Sequence, residues 1–129
     1  MEITFLTLSE VLEIHQDQLQ RYGGSPGIRS MQLLQSAVGM PAATYAGHFL
    51  HPDIYEMTAA YLYHLVQNHP FIDGNKRTGA VSALVFLALN DFTFKAPEDD
   101  FADMVLTVAR GELDKSDVAR FIRQWSYRP

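Results

Sequence analysis

Cysteine is missing from all 129 residues, which removes disulfides and thiolate metal centres and leaves nothing that depends on an oxidising compartment. Positive charge is scarce as well: ten Lys and Arg stand against fifteen Asp and Glu, a formal net charge of −5. Binding along a phosphate backbone needs clustered cations, so direct nucleic-acid binding is not expected, although a few local basic residues still suffice for a single phosphate. Long apolar runs are absent too. The longest, Gly79 to Leu89, is interrupted by Ser82 and too short to span a bilayer, and the opening residues lack a basic leader, so a cytoplasmic chain without membrane association is expected. No repeat, low-complexity tract or linker breaks the sequence. What is present, 47% hydrophobic residues in 129, fits one compact domain over 1–129 with a real core.

Helical punctuation recurs along the chain. Thr7-Leu8-Ser9-Glu10 reads as a capping box that opens a helix running to about Arg21, with Leu8, Val11, Leu12, His15 and Leu19 on one face. Tyr22-Gly23-Gly24-Ser25-Pro26-Gly27 stops it, and a short helix is expected over Arg29 to Val38. Gly39 to Pro52 has no helical period and is longer than most connections in a compact domain, which points to a functional loop. From Ile54, Met57, Tyr61 and Leu65 recur at helical spacing up to His69-Pro70. The next helix starts near Asn75 and is apolar on nearly every side from Ala80 to Leu89, the pattern of a central helix surrounded by others. Asn90 ends it, and 91–96 has room for a short extended turn. Pro97-Glu98-Asp99-Asp100 then opens a helix that Arg110-Gly111 closes, and a last helix begins at Asp114 with Val118, Phe121, Ile122 and Trp125 facing inward. The fold class is all-α.

The chemistry concentrates between the third and fourth long helices. His69 at the end of one helix and Asp73-Gly74-Asn75 at the start of the next unite a base, a metal ligand and an anion hole. The first backbone N–H groups of the helix, at Asn75, Lys76 and Arg77, point outward from a positive dipole end, and Gly74 has no Cβ to keep a phosphate away. Asp73 can hold Mg²⁺, which is usually bound through one or two carboxylates plus phosphate oxygens. A histidine can accept the proton of an attacking hydroxyl. Phe71 is expected to face inward and pin the loop. Each residue alone also has a plain structural reading, since turns and caps use these types routinely. Lys76 and Arg77 shift the balance: cations in the first turn oppose the dipole, so their placement points to an anion. His15 and His64 are read as scaffold on helices, and His48 and His51 lack the spacing of a metal site.

His69-Pro70-Phe71-Ile72-Asp73-Gly74-Asn75-Lys76-Arg77-Thr78 resembles the H-x-F-x-[DE]-G-N-x-x-R pattern of the Fic/Doc superfamily in a near variant, with the Arg one residue early at Arg77. Arg21 to Arg29, Tyr45 to Ala60 and Val85 to Asn90 are similar to its death-on-curing (Doc) branch. The resemblance implies a helical bundle with a flap in the 39–52 loop that captures a target segment by strand-like pairing. It implies His69, Asp73, Lys76 and Arg77 as catalytic residues, Asp73 as the Mg²⁺ ligand, and Gly74, Asn75, Lys76, Arg77 and Thr78 around ATP. AMP-transferring relatives carry Gly and a second Arg where this chain has Lys76 and Ala80; the Doc branch, which moves phosphate onto translation factor Tu, does not. The implied function is a toxin that transfers the γ-phosphate of ATP to a protein hydroxyl and is held by an antitoxin seated in a hydrophobic groove beside the flap. Self-inhibition is not expected, because the one Ser/Thr-to-Glu pair at the required spacing, Ser9 and Glu13, is followed by Ile14. AMP transfer to a protein hydroxyl, or a catalytically silent binding module of the same fold, are the alternatives.

Overall fold

The computed structural model describes residues 2–129. Six α-helices carry the fold: α1 (Leu8–Tyr22), α2 (Met31–Gly39), α3 (Ile54–Gln67), α4 (Asn75–Leu89), α5 (Glu98–Ala109) and α6 (Lys115–Trp125). Two antiparallel pairs of two-residue strands complete it, β1 (Thr44–Tyr45) with β2 (His48–Phe49) and β3 (Thr93–Phe94) with β4 (Ser126–Tyr127). The fold is all-α, as the sequence implies.

Side-chain caps set most helix starts. Thr7 accepts from Glu10 N–H at 3.1 Å while Glu10 returns a bond to Thr7 N–H at 2.9 Å, closing the expected box on α1. Asp114 closes a second box on α6 with Asp117, and Asp53 caps α3 by accepting from Glu56 N–H alone. Helix α2 starts two residues later than expected, capped by Ser30. The reason is local: the N–H groups of Arg29 and Ser30 both donate to Pro70 O, at 2.7 and 3.0 Å, and so bind another segment.

The central helix is α3, not α4. Every residue from Met57 to Leu62 is buried, whereas α4 leaves Leu84 and Leu89 exposed, at 36% and 42%. The all-round apolarity of α4 has two uses. One face, with Thr78, Gly79, Ser82, Ala83, Phe86 and Leu87, lies in the core, and Gly79 brings it so close to α3 that a Cβ would sit 2.8 Å from Val66 Cγ2 and 3.2 Å from Leu62 O. The opposite face lines surface grooves against α1 and α5. Tyr61 anchors the N-terminal segment to this core by accepting from Leu6 N–H at 2.9 Å, and burial pushes its phenol up to about 12. Asn90 ends α4 as expected and fastens the same segment, exchanging bonds of 2.8 and 3.0 Å with the backbone of Thr4.

The 39–52 loop is more ordered than its lack of period suggests. A 3₁₀ turn over Met40–Ala42 leads into the β1–β2 hairpin, whose turn residues Ala46 and Gly47 both have positive φ, 51° and 81°. Paired twisted strands favour such turns. Tyr45, Phe49 and Leu50 remain exposed.

Candidate active site

The loop from Asn68 to Gly74 is held from three sides. From within, Asn75 staples it: Oδ1 accepts from Phe71 N–H at 2.9 Å, and Nδ2 donates to Phe71 O at 3.0 Å. From α1, His15 stacks on the Phe71 ring with centroids 3.7 Å apart and 6° between planes. Its Nε2 lies 2.8 Å from Asp73 O, so that nitrogen carries the proton. From the α1–α2 connection, Gly27 O accepts from Ile72 N–H at 3.1 Å, and Ile28 bridges Phe71. Phe71 is fully buried, as expected of the residue that pins the loop.

These restraints deliver His69 and Asp73 to the surface. His69 is exposed, with a left-handed φ of 51°. Asp73 is exposed too, and its carboxylate is preset: Oδ2 accepts from Ser25 N–H at 3.1 Å and Oδ1 from Gly74 N–H at 2.8 Å. Those two bonds, Ser25 first, hold its carboxyl below the usual range, with further help from the charges of Arg77 and Lys76. Arg77 donates to Gly23 O at 2.9 Å and to Gln18 O at 3.4 Å. Gly24, at φ 123°, makes room for this arrangement, since a Cβ there would lie 2.9 Å from Asp73 Oδ2 and 3.2 Å from Arg77 Nη2.

Helix α4 begins at a left-handed Gly74 with φ 81° and no side-chain cap. Its first intrahelical bond runs from Thr78 N–H to Gly74 O, 2.9 Å. The N–H groups of Asn75, Lys76 and Arg77 therefore have no partner within the helix, and a helix start of this kind suits an anion. Lys76 is exposed and Arg77 half-buried.

The sequence-derived set is therefore partly divided. His69, Asp73 and Lys76 are exposed and Arg77 is half-buried, but Gly74 is buried, with the place of its missing Cβ facing His15 and Leu19, and the side chains of Asn75 and Thr78 turn inward, 4% and 0% exposed. An Asn whose amide is spent on the loop backbone has a structural part to play, and the Thr78 hydroxyl sits in the core without a bonding partner. Among the described residues no three His, Asp or Glu side chains are grouped to hold a metal. A lone exposed carboxylate with lone pairs left over fits Mg²⁺, which keeps several waters and takes phosphate oxygens for the rest of its shell. Sequence reasoning missed Arg29, Ser25 and the loop-bracing role of His15. Signals existed, in the paired glycines at 23–24 and in a histidine on the apolar face of α1.

The model of the Fic/DOC family matches residues 5–87, a span that holds every one of these restraints. The chain belongs to the Fic/DOC family. It is 35% identical to "Protein kinase doc" of Escherichia phage P1 over 116 residues, 89% of this chain and 90% of that protein. It is also 37% identical to "Toxin Doc" of Mycolicibacterium smegmatis over 100 residues, 76% of this chain and 77% of that one. Within this Fic/DOC chain the hairpin of residues 44–49 stands where the flap is expected, and a hollow of about 400 Å³ at its root is lined by Phe49, Ile54, Tyr55 and Phe92. A second, more apolar groove of about 390 Å³ runs between α4 and α5 over Ala80, Phe101, Val105 and Leu106 and ends on Lys76 and Arg77. No helix of the described residues is long and apolar enough to cross a membrane.

Proposed function

We propose that this Doc-like chain transfers the γ-phosphate of ATP to a hydroxyl of a target protein. The observation that carries the reading is the exposed Lys76 in the uncapped first turn of α4, beside an Asp73 carboxylate preset by two N–H groups. The names of the two relatives, one a kinase and one a toxin, support it. In the proposed step the hydroxyl oxygen attacks the γ-phosphorus in line, the new O–P bond forms as the bond to the β-phosphate oxygen breaks, and ADP leaves. His69 takes the hydroxyl proton on its imidazole. The N–H groups of Asn75, Lys76 and Arg77, with the Lys76 and Arg77 charges, hold the phosphates, and positioning and charge stabilisation supply most of the rate. Mg²⁺ on Asp73 neutralises phosphate charge when bound. The exposed hairpin edge at Thr44–Phe49 presents backbone groups to an extended target segment.

Lys76 also bears on direction. Its side chain fills space that glycine leaves open in AMP-transferring relatives, and Ala80 offers no second guanidinium for the far phosphates. The nucleotide then lies with its γ-phosphate, not its α-phosphate, before the hydroxyl. AMP transfer is the competing reading and differs in that orientation alone; a silent binding module would need a broken His69, Asp73 or Asn75, and all are present.

A translation factor of the Tu type is the proposed target, in the cytoplasm, with an antitoxin as the controlling partner. The α4–α5 groove is the better seat for that partner than the hollow at the flap, because an apolar segment lying in it would reach Lys76 and Arg77. The test is expression in a bacterial host: growth arrest by the wild-type chain, none by a folded His69→Ala chain, and rescue by the adjacent reading frame. Arrest by His69→Ala equal to wild type would remove His69 as the base.

A further inference from the structure

His69 is one of three residues other than glycine with positive φ among those described, at 51°. A residue with a Cβ keeps a left-handed backbone only where its surroundings over-determine it, and such residues gather at functional sites. Helix α3 ends at Gln67, so the carbonyls that follow have lost their intrahelical donors. Three consecutive ones converge on a single residue of the α1–α2 connection. Arg29 Nη2 donates to Asn68 O at 2.8 Å, Arg29 Nε to His69 O at 2.6 Å, and the Arg29 backbone N–H to Pro70 O at 2.7 Å. The far end of the clamp is firm, because Ser30 N–H also donates to Pro70 O while the Ser30 hydroxyl caps α2.

We propose that Arg29 is the positioning residue that sets the left-handed backbone of His69 and so fixes where its imidazole is held. The proposal rests on the reading of His69 as the base. A guanidinium is well matched to this role, because its donors lie in a rigid plane and Nε and Nη2 meet two successive carbonyl oxygens at a fixed spacing. Rotation of the His69 peptide away from φ 51° would carry its carbonyl off Nε, so the bond and the backbone conformation stand or fall together. Arg29 is itself exposed and contributes nothing to the core, and its backbone bond to Pro70 survives any side-chain change. The side chain therefore acts on the orientation of His69 more than on the existence of the fold.

The experiment compares wild type with Arg29→Ala, Arg29→Gln and Arg29→Lys, each checked for folding by thermal melting. Two readouts follow: the amide to Hα coupling and Cα/Cβ shifts of His69 by NMR, which report its φ, and the steady-state kinetics of phosphate transfer from ATP. The expected result for Arg29→Ala is loss of the left-handed pattern at His69, with kcat lower on the order of 100-fold, the scale of a misplaced reacting group, and KM for ATP changed by less than about threefold. Arg29→Lys recovers part of kcat, since an ammonium supplies charge and one donor but not the planar pair, and Arg29→Gln recovers less. A His69 that stays left-handed in Arg29→Ala overturns the proposal, and so does kcat within about twofold of wild type. If the wild-type chain transfers nothing, the reading of the function falls, while the NMR comparison still decides whether Arg29 sets the His69 backbone.

Discussion

Replacing Asn75 with Ala separates a structural Asn75 from a nucleotide-binding one. Asn75 is 4% exposed and Phe71 fully buried, and the amide makes a reciprocal pair of bonds, 2.9 and 3.0 Å, to the Phe71 N–H and C=O. Truncation to Ala leaves both backbone groups without these partners in a site closed to water, at about 1–3 kcal/mol each, or about 2–6 kcal/mol together. A domain of this kind is stable by about 5–15 kcal/mol, so a third of the total is at stake. The melting temperature should fall on the order of 10 °C. Asn75→Asp should do no better, because a carboxylate still accepts from Phe71 N–H but cannot donate to Phe71 O and buries a charge. Urea titrations of both variants, read at constant m, give the stability change. Calorimetric ATP titration well below the melting point should show near wild-type affinity. A variant that loses less than about 1 kcal/mol yet binds ATP about tenfold more weakly would refute this reasoning and return Asn75 to the nucleotide site.

Other outcomes follow from the same structure. Gly79→Ala should destabilise by about 1–3 kcal/mol, because its Cβ meets Val66 Cγ2 at 2.8 Å and Leu62 O at 3.2 Å and overpacking outweighs the gain of about 1 kcal/mol in helix propensity; a more stable variant in the same urea titration would show that α3 and α4 are free to part. Asp73→Asn should shift the Mg²⁺ dependence of transfer to higher concentration, since an amide oxygen is a poorer ligand than a carboxylate, and an unchanged curve would take Asp73 out of the metal site. His64, pushed down to about 4 by burial, then by the Lys115 charge 3.0 Å away and by His51, and His51, lowered chiefly by burial, stay neutral in the fold while the unfolded chain protonates them near 6.5. Depressed histidines give stability that is present above about pH 6.5 and lost as pH falls toward 4; for the half-buried His64, with solvent screening, the loss between pH 7 and 5 is on the order of 1–2 kcal/mol, and the buried His51 adds in the same direction. Urea midpoints at pH 7, 6 and 5 measure it, and a flat response would contradict the neutral pair.

Much of the scaffold was legible because helix starts are local. Thr7 with Glu10, and Asp114 with its following turn, announce helices through bonds that span three residues. The His69 to Arg77 cluster was legible for a similar reason, being contiguous in the chain. What stayed hidden depends on contacts between distant residues. Arg29 lies 40 residues from His69, Ser25 48 from Asp73 and His15 58 from Asp73, and no spacing rule reaches that far. The inward turn of Asn75 and Thr78 was hidden differently, since a polar residue in a first turn gives no sign of whether it faces solvent or closes a loop. The exchange of α3 and α4 as central helix has its own cause. An apolar stretch looks the same whether it is buried all round or packs on one side and meets solvent on the other, as α4 does with a groove at Ala80 and exposed side chains at Leu84 and Leu89.

The most direct test of the account is which phosphorus of ATP reaches the target. Purified wild-type chain is incubated with Mg²⁺, a translation factor of the Tu type and ATP labelled at either the γ- or the α-phosphate, with His69→Ala as the blank. Lys76 beside Asp73 and Arg77, without a second Arg at position 80, predicts protein-bound label from γ-labelled ATP and none from α-labelled ATP. Protein-bound label from the α-phosphate would contradict the account and make the chain an AMP transferase.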